Sequence, residues 1–195
     1  MKFVIISGNP KTSGLCRSII DEIIRGAKES DADIQEINTN DMTYCRVCGD
    51  GWGTCLKENK CSFGDDGFTV AQETLRQADA VAIVTPVYWA EVTESLKNFL
   101  DRFRRCEQSV FANQKGILAG KPVLLVASPG GSGRGSLTTL QQMERFCEHT
   151  GAIVFDYIMA NRWNSDYKRD TAYYAAKALA GGRRKIGETV DAPKE

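Results

Sequence analysis

Four cysteines in one glycine-rich stretch are the side chains of this sequence best suited to chemistry. Cys45, Cys48, Cys55 and Cys61 have the spacing C-x2-C-x6-C-x5-C. Four thiolates on a short loop can hold a [4Fe-4S] cluster or a tetrahedral zinc ion, and they can also remain free or redox-active thiols. They are therefore candidate metal ligands, with all three outcomes open.

A second candidate is the segment SGNPKTSG at residues 7–14, which combines small residues, hydroxyls at Thr12 and Ser13 and the cation of Lys11 directly before a helical pattern. Free N–H groups and the dipole at a helix N-terminus attract anions, so a phosphate group is the expected ligand of this segment. The segment is not a Walker loop, because Leu15 and Cys16 stand where Lys and Ser/Thr are required. A plain tight turn is the alternative interpretation.

Two further loops follow apolar runs. TPVYWAE at residues 85–91 carries Tyr88 and Trp89, which could flank a planar ring or simply pack on the next helix. SPGGSGRGS at residues 128–136 holds glycines that let backbone amides approach a ligand, although a merely flexible loop has the same composition. Ligands of open parallel sheets bind outside the carboxyl ends of the strands, so we expect these loops to meet there.

The elements that position these loops follow from hydrophobic periodicity. Apolar runs predict strands at residues 3–6, 33–37, 80–85, 122–127 and 152–158. Amphipathic patterns predict helices after an N-cap at Ser13, at 68–77, at 94–105, up to about His149, and at 170–186. Residues 41–66 are predicted to be an elaborated loop and 188–195 a frayed tail. Buried strands alternating with helices indicate a doubly wound α/β sheet in a single domain over residues 1–195.

Composition narrows the class of protein. Lys plus Arg and Asp plus Glu number 25 each, so no net positive field favours nucleic acid or an anionic membrane. No apolar run approaches the roughly 20 residues of a membrane span, and the N-terminal run is too short for a signal peptide. We expect a cytoplasmic protein with no nucleic-acid or membrane partner.

The other sulfur and imidazole groups have plainer interpretations. Seven cysteines, an odd number in a reducing compartment, do not predict a disulfide framework. Cys16, Cys106 and Cys147 fall on predicted helices and are expected to be buried as small hydrophobic side chains. His149, the single histidine, is expected at a helix end and not as a base or ligand.

Three segments together resemble the NADPH-dependent FMN reductase and iron–sulfur flavoprotein branch of the flavodoxin-like superfamily. They are GNPKTSG, the cysteine run CRVCGDGWGTCLKENKCSFGDD, and TPVYWAEVTESLKNFLDRF. The resemblance implies a flavodoxin-like fold with five parallel strands in the order 2-1-3-4-5. Two features depart from the family pattern: Leu15-Cys16 replace Asn-Thr at the helix start, and the second cysteine gap has six residues instead of two.

The resemblance also implies a flavin site. The residues that would hold the FMN phosphate are Ser7, Asn9, Lys11, Ser13, Gly14 and, through its backbone amide, Leu15. The residues that would border the ribityl chain and ring are Pro86, Val87, Tyr88 and Trp89, and those that would approach the polar edge of the ring are Ser128, Gly130, Gly131 and Ser132. No protein nucleophile is required, because the flavin carries the chemistry.

The expected function is an FMN-binding oxidoreductase that takes electrons from NAD(P)H and passes them to a flavin, a quinone or another small acceptor. An iron–sulfur flavoprotein or a flavodoxin-type carrier between protein partners is the alternative, and a cofactor-free scaffold is a third. Trp52, Trp89 and Trp163 all fall in predicted loops or at element edges, and because aromatic residues are enriched at interfaces, they predict self-association as a homodimer or homotetramer. We also expect the cysteine loop to lie beside the flavin, because it leaves the second strand at the carboxyl edge.

Overall fold

The computed structural model describes residues 1–64, 66–107 and 116–182. Its strands are β1 (Lys2–Ser7), β2 (Asp33–Asn38), β3 (Ala80–Pro86), β4 (Pro122–Ser128) and β5 (Ile153–Met159). Its helices are α1 (Leu15–Lys28), α2 (Cys55–Glu58), α3 (Phe68–Gln77), α4 (Glu94–Cys106), α5 (Ser136–Thr150) and α6 (Ser165–Ala180). Within these residues, no helix combines the length and the apolar character that crossing a bilayer requires.

The five strands form one parallel sheet in the order β2-β1-β3-β4-β5. The predicted flavodoxin-like class and strand order are therefore confirmed. Chain order reverses beside β1, since the chain passes from β1 to one neighbour and later returns to the other. This reversal creates the crevice in which ligands of such sheets bind.

Helices cover both faces of the sheet, because β1, β3 and β4 bury side chains on both sides. One core contains Val4, Ile6 and the apolar faces of α3, α4 and α5. The other contains Phe3, Ile5 and the faces of α1 and α6. Each fully buried Val, Leu or Ile contributes roughly 1.5–3 kcal/mol, so the sheet provides a rigid base for its loops.

Two element ends differ from expectation. The first helix begins at Leu15 after Gly14, not after an N-cap at Ser13, and no side chain caps it. The last helix begins at Ser165, five residues before the predicted Asp170, because Asn161 and Asn164 form reciprocal side-chain to backbone hydrogen bonds that set its start. Ile186, its predicted end, and the predicted tail at 188–195 lie outside the described residues.

Candidate functional site

The loops that follow β1, β3 and β4 leave the carboxyl edge of the sheet side by side. Ser7 lies opposite Val84 in the β1–β3 ladder, and Pro86 lies opposite Ser128 in the β3–β4 ladder. The hydroxyl of Thr93 donates to the carbonyl of Gly8 at 2.9 Å and joins the first loop to the start of α4. The structure thus brings the three predicted loop segments to one edge.

Asn9 organises the first of these loops from within. Its backbone N–H donates to the Ser7 hydroxyl at 3.3 Å, its side-chain oxygen accepts from the N–H of Lys11 at 3.3 Å, and its side-chain amide donates to the Lys11 carbonyl at 2.6 Å. These hydrogen bonds fix the shape of the loop, and none of them involves the backbone N–H groups of residues 12–14. The ammonium of Lys11 forms no ion pair with any described residue.

The start of α1 is rich in unsatisfied donors. Gly14 has φ 91°, a conformation that favours glycine, and it supplies no capping side chain. The N–H groups of residues 12–14 form no hydrogen bond within the described chain. The first amides of a helix also lack intrahelical partners. Together with the helix dipole, these groups form an anion site next to the exposed side chains of Lys11 and Ser13.

The second loop is a tight turn that displays aromatic side chains. Tyr88 and Glu91 exchange backbone hydrogen bonds at 2.9 and 3.0 Å, and both Trp89 and Ala90 have positive φ, at 52° and 64°. Such φ values are unfavourable for non-glycine residues. The Trp89 side chain is 100% exposed, whereas Val87 packs against the core and Pro86 is buried. The turn therefore presents Trp89 to solvent at the sheet edge.

The third loop packs closely on this turn. A Cβ added at Gly135 would lie 2.5 Å from the Cα of Ala90, so only glycine permits the contact. By contrast, a Cβ at Gly130 or Gly131 would meet no protein atom within 4 Å. Both glycines, with the exposed Ser132, leave their backbone accessible at this edge.

Ser128 ends β4 with a buried hydroxyl. The residue is 3% exposed, and its Oγ atom has no hydrogen-bond partner among the described residues. A buried polar atom without a partner costs roughly 1–3 kcal/mol, so it is rare unless a ligand satisfies it. Its place beside Pro86 puts this donor at the same edge as the anion site.

The cysteine loop is closed at its neck by a buried arginine that sequence reasoning missed. Arg102 of α4 is 1% exposed and donates to the carboxylate of Asp66 at 2.6 Å, to the Thr43 carbonyl at 3.3 Å and to the Cys61 sulfur at 3.2 Å. Burial opposes ionisation of Asp66, but hydrogen bonds from Arg102 and Thr43 lower its pKa to about 2. The sequence does contain a signal for its burial, because helical spacing places Arg102 on the apolar face of α4 with Phe99 and Phe103.

The four candidate ligands line one pocket. Cys45, Cys48, Cys55 and Cys61 are each partly exposed and surround it together with Arg102 and Arg105. Within the described part of the chain, no group of three or more His, Cys, Asp or Glu side chains is placed to hold a single metal ion. The four cysteines thus line one pocket, but their sulfur atoms are not placed to coordinate a single tetrahedral metal ion.

The cysteine loop starts at the carboxyl edge of the sheet and continues along α4. Asn40 donates to the Asn9 carbonyl at 2.7 Å, so the loop starts beside the anion site. The cysteine pocket instead lies against Arg102, Arg105 and Cys106, near the end of α4. Since a helix rises about 1.5 Å per residue, Arg102 lies about 12 Å along the axis from Glu94. The Arg102 contacts hold the loop along α4 and away from the carboxyl edge.

The remaining cysteines behave as expected. Cys16, Cys106 and Cys147 are all buried on helices, and burial raises the pKa of each thiol to about 12. They therefore stay protonated and unreactive at neutral pH. His149 lies in the last turn of α5, as predicted for a helix-end residue.

Known proteins share this architecture. Residues 1–164 match the family described as NADPH-dependent FMN reductase. An iron-sulfur flavoprotein of Archaeoglobus fulgidus is 29% identical over all of this chain and 98% of its own length. Another from the same organism is 31% identical over 52% of this chain, an alignment that spans 45% of that relative.

A solved oxidoreductase of Corynebacterium diphtheriae superposes with a TM-score of 0.68 at 18% identity, covering 92% of this chain and 94% of that protein. At this identity the likeness concerns the fold. The family match is the finding that bears on identity, because it spans most of the chain and all three loops of the carboxyl edge. On these grounds the chain belongs to the NADPH-dependent FMN reductase family.

Proposed function

We propose that the protein binds FMN at the carboxyl edge of the sheet and uses it to oxidise NAD(P)H and reduce a small acceptor such as a free flavin or a quinone. Family membership makes the protein an FMN-binding oxidoreductase. The observation that carries the site assignment is the presence, at one edge, of unsatisfied amides at residues 12–14 and the unpartnered buried hydroxyl of Ser128.

These donors fit the flavin that the family uses. Ser7, Asn9, Lys11, Ser13, Gly14 and Leu15 would surround the phosphate, because they frame the amides and the cation at the start of α1. A dianionic phosphate receives charge-assisted hydrogen bonds there, each worth about 1.5–3 kcal/mol. Ser7 and Asn9 are buried, so they hold the loop in shape, while Lys11 and Ser13 remain available to the ligand.

The other two loops would hold the ring system. Pro86, Val87, Tyr88 and Trp89 provide an apolar and aromatic border, and Ser128, Gly130, Gly131 and Ser132 provide polar groups. When bound, FMN supplies the hydride and electron chemistry. The chain's own part is to bind and orient it and to shape access through the Tyr88–Glu91 turn.

The test is to identify the flavin and measure turnover. Flavin released by denaturation should be FMN in stoichiometric amount, and steady-state oxidation of NADPH or NADH should proceed with free flavin or a quinone as acceptor. Stoichiometric FAD would refute the cofactor assignment. Flavin-loaded protein that turns over pyridine nucleotide only very slowly would instead indicate a carrier between protein partners.

The cysteine pocket supports a second proposed function, that of an iron–sulfur flavoprotein. Four thiols and two guanidinium groups around one pocket suit an anionic [4Fe-4S] cluster, and relatives of this chain are named iron-sulfur flavoproteins. Cys45, Cys48, Cys55 and Cys61 would be its ligands. Iron and acid-labile sulfide after anaerobic reconstitution test this, and Cys48→Ser with Cys55→Ser should abolish both while flavin binding persists.

We also propose a cytoplasmic homodimer or homotetramer forming a single flavodoxin-like domain per chain, with the cysteine-rich loop as an insertion. Trp89 and Trp163 are 100% and 67% exposed, and large exposed aromatic side chains are enriched at interfaces. Light scattering at micromolar concentration should give at least twice the mass of one chain. A monomeric mass would refute self-association.

A further inference from the structure

A continuous surface leads from the Tyr88–Glu91 turn into the groove between α4 and α5. Its upper part is lined by Tyr88, Trp89, Val92, Lys97, Asn98 and the two acidic residues Glu91 and Glu94. Val92 and Lys97 also line the lower groove, whose floor is formed by the buried side chains of Leu100 and Phe146. Gln142 of α5 accepts the N–H of Val92 at 3.0 Å and so joins the turn to the groove wall. A ligand on the aromatic turn could extend along this surface.

Two arginines from different helices line the far end of this groove. Arg104 of α4 and Arg145 of α5 are both exposed, and neither guanidinium group forms a hydrogen bond or ion pair with a described residue. Lys97, by contrast, is paired with Asp101 at 2.5 Å. Two guanidinium groups without an acidic partner among the described residues favour a doubly charged anion in this groove. Their planar donor sets suit the oxygen atoms of a phosphate monoester.

The distance between the two ends of this surface fits a dinucleotide. With about 1.5 Å of rise per residue, the helix from Glu94 to Arg104 spans about 15 Å. That span is comparable to the separation of the nicotinamide ring and the ribose 2′-phosphate in an extended NADPH molecule. The adenine ring is attached to the same ribose as the 2′-phosphate, and the side chains of Leu100 and Phe146, which line the groove with the two arginines, offer that ring an apolar surface.

We propose that the groove between α4 and α5 binds the adenosine half of NADPH, with Arg104 and Arg145 holding its 2′-phosphate. This inference rests on the proposed function, because the nicotinamide must reach a flavin at the carboxyl edge. Arg104 and Arg145 then determine the preference for NADPH over NADH, since NADH lacks the group that they bind. Sequence spacing could not show this pair, because the two arginines lie far apart in the chain.

The test is a comparison of both nucleotides in the FMN-loaded protein. The double variant Arg104→Ala with Arg145→Ala should lower kcat/KM for NADPH at least tenfold and change that for NADH little. Arg169→Ala, which removes an exposed arginine from α6, is the matched control and should alter neither value. Calorimetric titration with 2′,5′-ADP should show affinity at least tenfold weaker in the double variant than in the wild type.

The kinetic comparison and the 2′,5′-ADP titration distinguish the proposed 2′-phosphate site from the alternatives. An unchanged ratio of the two kcat/KM values, or unchanged 2′,5′-ADP affinity, overturns the inference. Equal losses for NADPH and NADH would place the arginines on the pyrophosphate and overturn the 2′-phosphate assignment. If the wild type oxidises neither nucleotide, the proposed function fails, and the 2′,5′-ADP titration still decides whether the groove is an anion site.

Discussion

Ser128 is buried, and its hydroxyl has no hydrogen-bond partner among the described residues. Under the proposed function, this hydroxyl serves flavin binding and not the fold. Its Oγ atom contributes no hydrogen bond to the described protein, so the folded state does not depend on it. Ser136, eight residues later, differs because its hydroxyl donates to the Gly133 carbonyl at 2.8 Å. The two serines form a natural pair for comparison.

We therefore expect Ser128→Ala to weaken FMN binding about tenfold, the equivalent of one lost hydrogen bond, without lowering the free energy of unfolding of the flavin-free protein. Ser136→Ala should do the reverse and cost about 1 kcal/mol of stability with little change in flavin affinity. Fluorescence titration with FMN and urea unfolding measure the two quantities. Loss of stability in Ser128→Ala would show that its hydroxyl serves the fold.

Substitution of the exposed residues Lys11 and Ser13 tests whether the start of α1 binds the FMN phosphate. Both side chains are exposed, so Lys11→Ala with Ser13→Ala should leave the secondary structure intact. Each lost charge-assisted hydrogen bond should cost about 1.5–3 kcal/mol of FMN binding. Riboflavin, which lacks the phosphate, should bind the variant and the wild type alike. Unchanged FMN affinity would move the phosphate elsewhere.

At the scale of elements, α4 connects the two candidate sites. Its start adjoins the carboxyl edge through Thr93, and its last turns carry the cysteine loop through Arg102. The Arg102 guanidinium also lies 4.1 Å from the centre of the Phe68 ring. One helix thus fixes the position of the loop relative to the sheet.

Removing this anchor should be costly. Arg102→Met leaves the carboxylate of Asp66 without its cation, and breaking a buried ion pair typically costs 3–5 kcal/mol. Adding Asp66→Asn should recover part of that loss, because no uncompensated charge remains. Arg105→Met, in the same pocket but partly exposed, should cost far less. Equal losses of unfolding free energy from the two arginine variants would contradict the anchor.

The strands and helices that the sequence predicted well are those with a strong local pattern of apolar residues. Uniformly apolar strands and periodic helices predicted β1, β3, β4 and α4 to within one or two residues, because burial on both faces leaves a local signal. The position of the three loops at the carboxyl edge followed from the strand order. Arg102, the α4–α5 groove and the packing of the cysteine pocket along α4 were not predicted, because all three depend on contacts between distant segments.

For the molecule as a whole, Glu107 introduces a dependence of stability on pH. It is 1% exposed, one carboxylate oxygen accepts the Ile117 N–H at 2.7 Å, and the other has no partner among the described residues. Burial raises the pKa of Glu107 to about 7. The folded state therefore keeps a proton that the unfolded chain releases near pH 4.5, and stability falls as pH rises from about 4.5 to 7.

Glu107→Gln should abolish this fall, because its amide remains neutral and its oxygen can still accept the Ile117 N–H. The gain at pH 7 should be at most on the order of 3 kcal/mol. Urea unfolding at pH 5, 6 and 7 measures it, and Glu148→Gln, an exposed change on α5, should leave the slope unchanged. A wild-type stability that is flat over this range would show that Glu107 ionises freely in the folded protein.

The neck formed by Arg102, Thr43 and Asp66 has a consequence for how this protein can vary. Twenty-two residues separate Thr43 from Asp66, and their two ends are fixed whatever lies between them. Because the entropy of closing a loop grows only with the logarithm of its length, four additional residues cost about 0.2 kcal/mol. Insertions between Cys48 and Cys55 are therefore nearly neutral for folding. Such a tethered segment can lengthen, shorten or change its sequence over evolutionary time while the sheet and the loops at its carboxyl edge remain unaltered.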